Sequence, residues 1–176
     1  MEQVIVAFES EKTCRRVKEI LESSGTAACL VCRSGDQVRR WVHEQHIATV
    51  ICGYKLAEEP AVDVLRDLPS FCSMLLLAAR NRLDLVQGDN LVLLPAPATR
   101  SALIEGVEGL LQAAREAEAA GLRRDREERA LIAQAKERLR RDCAMTEEEA
   151  HRYLQKKSME RGVKLVQTAR QVLEEP

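Results

Sequence analysis

The sequence predicts an α/β domain with a parallel sheet, followed by helices only. Three observations carry this. Short continuous apolar runs alternate with helical patterns over the first 98 residues. From residue 99 onward the period is helical throughout. Within that helical part, a stretch with a sustained seven-residue repeat precedes three short amphipathic helices. Strands that read as unbroken apolar runs are buried on both faces, which is the mark of a parallel sheet with helices on either side.

The elements follow in order. Residues 4–8 make the first strand, and 11–23 a helix with Cys14, Val17, Ile20 and Leu21 on one face, ended by Gly25. Residues 27–31 make the second strand, and 37–45 a helix around Val38, Trp41 and Val42. A third strand covers 49–52, with a helix at 61–68. A fourth covers 74–78, with a helix near 83–86, and the fifth covers 91–94. Five such units in about 100 residues suit the flavodoxin-like strand order 2-1-3-4-5.

Composition bounds the function. Charged residues are 31% and hydrophobic residues 45%, values of a folded globular chain and not of a disordered one. Net charge is −1, but residues 121–176 hold 14 basic and 11 acidic side chains, against 13 and 17 in residues 1–120. Within 151–170 the count is six to one, which points to a polyanionic partner for the C-terminal end. The N-terminus lacks the basic region of a signal peptide, and no run approaches the ~20 apolar residues of a membrane span. The expectation is a cytoplasmic protein. Cys29 and Cys32 form a C-x-x-C inside a strand, where residues three apart face opposite sides, so buried free thiols are expected there and not a redox or zinc site. His43, His46 and His151 lie in helical patterns without a nucleophile or acid set, so no catalytic centre, cofactor or metal is expected.

Residues 1–98 resemble a response-regulator receiver, stripped of its chemistry. Receivers carry paired acids after strand 1, a phosphoacceptor Asp ending strand 3, a hydroxyl residue ending strand 4 and Lys-Pro after strand 5. Here strand 1 is followed by Phe8 and Glu9, the phosphoacceptor position holds Gly53, strand 4 ends in Ala78-Ala79, and strand 5 leads into Ala96-Pro97. Phosphoryl transfer needs a carboxylate nucleophile, further acids for Mg²⁺ and a cation to neutralise the phosphoryl group. Asp63 and Asp67 fall within the following helix pattern and do not substitute. The degenerate site at Glu9, Gly53, Ala78 and Ala96 therefore defines a pseudo-receiver that keeps a protein-docking surface without the switch.

Residues 99–126 form a helical connector. Leu103, Val107, Leu110, Ala114 and Ala117 recur at spacings of four and three, a heptad seam. Its first half suits packing on the sheet as the last helix of the domain. Its continuation beyond that length favours a parallel dimeric coiled coil, with a bend or loosened register at Gly121 and the charged run 123–129.

Residues 127–176 form the last module. Its first helix spans 127–141 on a stripe of Ile132, Ala135 and Leu139. Thr146 and Glu149 spell a capping box that starts the second helix, whose inner face is Ala150, Tyr153 and Leu154. Gly162 suits a left-handed C′ position, and a third helix carries Leu165 or Val166, then Ala169, Val172 and Leu173. This segment resembles the ANTAR module of amidase and nitrate antitermination regulators, in Ala135-Lys136, Leu139, the run Thr146 to Ala150, Leu154 and the third helix. It departs where the family commonly has Gly (here Glu137) and Ala (here Ser158).

The resemblance implies an RNA-binding transcription antitermination regulator that engages stem-loops in nascent transcripts. Its RNA surface is expected at Lys136, Arg140, Lys157, Arg161 and Lys164, basic residues bordering the apolar stripes. With aromatic residues at 3%, base stacking would be minor beside Lys/Arg contacts to phosphates. The expected partners are RNA, a second copy of the chain and a regulatory protein on the pseudo-receiver or the coiled coil. The alternatives are a dimeric interaction scaffold without nucleic-acid binding and a DNA-binding regulator. The second is disfavoured because the loop at 142–145 lacks the glycine turn of a helix-turn-helix.

Overall fold

The computed structural model describes residues 1–176. It contains five strands, β1 Gln3–Ala7, β2 Ala28–Cys32, β3 Thr49–Gly53, β4 Ser73–Ala79 and β5 Leu91–Ala96. They interleave with α1 Glu11–Ser23, α2 Gly35–Gln45, α3 Ala61–Asp67 and α4 Arg80–Leu83. Three more helices follow: α5 Arg100–Cys143, α6 Glu147–Arg161 and α7 Leu165–Glu174. All strand pairs are parallel, in the order β2-β1-β3-β4-β5. The predicted sheet is thus the observed one. No helix is long and apolar enough to cross a membrane. The chain divides into two compact units, Met1–Glu116 and Ala117–Pro176.

The sheet of the first unit sorts its side chains by the two-residue period of a strand. Ile5, Ala7, Val50, Cys52, Met74 and Leu76 face α2, α3 and α4 in one apolar cluster. Val4, Val6, Ile51 and Leu75 face α1 and the start of α5 in another. Cys29 belongs to the second cluster and Cys32 to the first, so the C-x-x-C thiols stand on opposite faces of the sheet. Burial pushes both thiols up to about 12, which keeps them protonated and unreactive near neutrality. Arg39 on α2 ties α2 to α3 and the loop before it. It donates to both carboxylate oxygens of Glu59 at 2.6 and 2.7 Å and to Asp67 at 3.0 Å, and it holds the Glu59 carboxyl below its ordinary range.

Two expectations need correction. The helix expected near 83–86 is one turn at Arg80–Leu83, and Leu85 beyond it is 80% exposed. The seam divides: its first half packs on the sheet, as expected of that half, and so drops out of the dimer contact. Leu103, Val107 and Leu110 are 3%, 0% and 6% exposed and sit inside the first unit's own core with Leu111. They are spent on the sheet and offer nothing to a second copy. Gly106, between them, explains how closely α5 lies: a Cβ there would come within 2.8 Å of Leu75. Ala114 is half-buried and Ala117 exposed.

The connector and the first helix of the module are also one element. α5 is helical without interruption from Arg100 to Cys143, through Gly121 and the charged run after it. A glycine inside a helix costs only about 1 kcal/mol relative to alanine. The surrounding Ala, Glu, Leu and Arg residues are strong helix formers and carry the helix past it.

Candidate nucleic-acid interface

The second unit is built from the end of α5, α6 and α7. Small residues set the crossings: Ala135 on α5, Ala150 on α6 and Ala169 on α7 are each 0% exposed, packed with Leu139 and Leu154. Ile132, Met145, Tyr153, Leu165, Val172 and Leu173 close the cluster at its edges. α6 begins with the predicted capping box. Thr146 Oγ1 accepts from the Glu149 N–H at 3.2 Å, and the Glu149 carboxylate accepts from the Thr146 N–H at 2.8 Å. α6 ends at Gly162, whose φ of 64° is the left-handed conformation that glycine adopts at least cost.

Ser158, the first departure from the family pattern, is buried and occupied. Its hydroxyl lies 2.8 Å from the Leu154 carbonyl and 2.8 Å from the Thr168 hydroxyl. Two buried hydroxyls thus satisfy each other across α6 and α7. Neither residue alone gives that signal in the sequence; the pair does so only once the helices cross.

The basic residues separate into two groups. Lys136 and Arg140 line one groove of about 390 Å³. Arg129 joins them, on the same face of α5 at spacings of seven and four. Ile132 and Ala133 supply apolar surface in the groove, and Glu137 and Glu147 add two carboxylates. The second departure, Glu137, lies in this groove and pairs with Arg140 at 3.5 Å. Both side chains are about half exposed or more, so this pair is weak and exchangeable.

Lys157, Arg161 and Lys164 do not line the groove. Lys157 lies over the Tyr153 ring at 5.8 Å and pairs with Glu160 at 3.7 Å. Arg161 donates to the Gln171 side chain. Lys164 precedes α7, and its N–H donates to Gln167 Oε1 at 3.3 Å. Arg138 is structural: it donates to the Leu173 carbonyl at 2.6 Å and to the Glu175 carbonyl, capping α7 with a cation where the helix dipole is negative. Arg129 lies in the groove outside the expected set, at a helical spacing to Ala133, Lys136 and Arg140 that the sequence carries. Glu147 was not legible that way, because only the α5–α6 crossing brings it to the groove.

The place where the sequence suggests a degenerate phosphorylation site is closed, not vacant. Phe8, at the end of β1, is 5% exposed, and its ring lies against the buried Gly53 at the end of β3. A Cβ at position 53 would meet the ring at 3.0 and 3.5 Å. Ala78 is 7% exposed, and Ala96 is half-buried at the edge strand. Glu9 is exposed, and its backbone carbonyl accepts two hydrogen bonds from Arg33, at 3.1 and 2.9 Å. An aromatic ring and small side chains fill the place where a receiver gathers its acids.

Comparison with known proteins agrees with both units. Residues 120–173 match the ANTAR domain. No curated protein matches the chain. Among solved structures, a response regulator receiver domain protein from Clostridium thermocellum is similar at a TM-score of 0.59 and 18% identity, over 65% of this chain and 98% of that one. The signal receiver domain of an HD domain-containing protein from Pseudomonas fluorescens is similar at 0.59 and 16%, over 67% and 92%. The response regulator PhyR from Brucella abortus is similar at 0.58 and 11%, over 68% of this chain and 51% of that protein. At these identities the likeness is one of fold. The chain therefore carries an ANTAR domain at residues 120–173, behind an α/β domain with the fold of a receiver.

Proposed function

We propose that this protein binds stem-loop RNA in nascent transcripts and acts as a transcription antitermination regulator in the cytoplasm. The observation that carries the reading is the groove of Arg129, Lys136 and Arg140 within the stretch that matches the ANTAR domain. Three cations on one helix face suit phosphates, which supply most of the affinity of a nucleic-acid complex. Lys157, Arg161 and Lys164 extend the basic charge of the same small unit.

Control runs through protein contact and not through phosphorylation. Phe8 against Gly53 leaves no carboxylate and no room for one. The working form is a homodimer whose contact begins at Ala114 and Ala117, because the seam before them is used by the sheet. Two copies would engage two adjacent loops, and linkage would raise affinity without a new contact.

The test is a gel shift of the full chain against a tandem stem-loop RNA and a duplex DNA of equal length, across salt concentrations. RNA is expected to bind more tightly at every salt concentration. Equal binding of both would replace this reading with nonspecific charge attraction, and absence of binding would leave an interaction scaffold.

A further inference from the structure

The groove between α5 and α6 carries more than cations. A site for phosphate alone would hold no acid, since a carboxylate beside a phosphate repels it. Glu137 and Glu147 both line this groove, and apolar surface from Ile132 and Ala133 lies among them. Glu147 makes no ion pair, whereas its neighbour Glu148 is held by Arg152 at 2.5 Å. Glu137 has only the loose, exposed contact with Arg140. Two carboxylates therefore stand as acceptors facing solvent, one of them beside a cation it can release.

The ligand group that fits this surface is uncharged, flat and rich in N–H donors. A phosphate meets none of these conditions; the edge of an unpaired nucleobase with an exocyclic amine meets all three. Carboxylates accept from amino groups of bases, as in recognition of the cytosine amine. The apolar floor takes the base face, and the flanking cations take the phosphates on either side of it.

We infer that the Glu137–Glu147 groove reads one unpaired, amino-bearing base of an RNA loop, with Arg129, Lys136 and Arg140 holding the adjoining phosphates. The inference rests on the RNA reading above and adds a specificity residue to it. Glu137 thereby lowers total affinity while sharpening selection. A glycine at this position would offer no side-chain acceptor.

The experiment uses the full chain and a pool of RNA hairpins with a constant stem and a randomised loop. Bound RNA is sequenced for wild type, Glu137→Ala, Glu137→Gly and Glu147→Ala. Both positions are exposed, so the fold is unaffected. Wild type should enrich amino-bearing bases over uracil at one loop position by about tenfold. Glu137→Ala and Glu137→Gly, which remove the side-chain acceptor, should flatten that enrichment while total binding stays equal or rises, because a negative charge is lost. Glu147→Ala should reduce the enrichment in part. In the selected hairpin, an analogue lacking the exocyclic amine at that position should bind wild type more weakly and Glu137→Ala equally well. Enrichment that survives in Glu137→Ala and Glu147→Ala, or a wild-type pool without a loop preference, overturns the inference and leaves the RNA reading standing. A pool that no variant binds overturns both.

Discussion

Two places in this molecule contrast in what they leave open to solvent. At the ends of β1 and β3, Phe8 covers Gly53 and the surroundings are alanine. On the ANTAR unit, the groove of Lys136 and Arg140 stays open and charged. The difference lies in what each location costs. A cluster of acids at the end of a sheet is partly desolvated and repels itself. Here an aromatic ring fills that space instead and is buried. Cations on a solvated helix face cost almost nothing to keep. The first place is core; the second is surface.

Placing an acid at position 53 should break the comparison most sharply. Gly53→Asp forces a carboxylate against the Phe8 ring, combining overpacking with a poorly solvated charge, for a loss of about 3–5 kcal/mol in a urea melt. Incubation with acetyl phosphate and Mg²⁺ should leave no acid-labile phosphate on this variant or on wild type. A stoichiometric mass shift mapping to residues 1–98 of the wild type would show that the switch survives.

Next in size is the inward half of the seam. Leu110→Glu should lower the stability of the α/β unit by about 3 kcal/mol, because it removes a buried leucine and puts a charge at its place. Ala117→Glu, on the exposed stretch, should change stability by less than about 0.5 kcal/mol and instead shift the sedimentation coefficient toward a single chain. A Leu110→Glu protein as stable as wild type would return that residue to the dimer contact.

The groove itself gives a smaller, graded effect. Arg129→Ala, Lys136→Ala and Arg140→Ala should each weaken binding of every stem-loop ligand and reduce the slope of log affinity against log salt by about one. Lys12→Ala and Lys55→Ala, on the α/β unit, should leave RNA affinity unchanged. Equal losses from both sets would make the groove one basic surface among many.

The smallest expected effect is inside the ANTAR unit. Ser158→Ala leaves the Thr168 hydroxyl without its partner, at a cost of about 1 kcal/mol. Ser158→Ala with Thr168→Val should recover most of it, since removing both polar groups leaves nothing unsatisfied. A double variant less stable than the single one would mean that the two hydroxyls do more than satisfy each other.

The sequence alone determined the sheet, its strand order, the capping box at Thr146 and the left-handed glycine at 162. Each depends on local period and local backbone preference, which neighbouring residues state directly. Tertiary structure decided the rest. The repeat through Leu103, Val107 and Leu110 is the same on paper whether a sheet or a second helix receives it, and only the close approach of α5 at Gly106 selects the sheet. The positive residues of the last fifty look alike in composition. Helix crossings assign Arg138 to a cap, Arg161 to Gln171, and Lys136 and Arg140 to the groove. Side-chain period tells which face of a helix a residue occupies; what that face meets is set by packing between segments far apart in the chain.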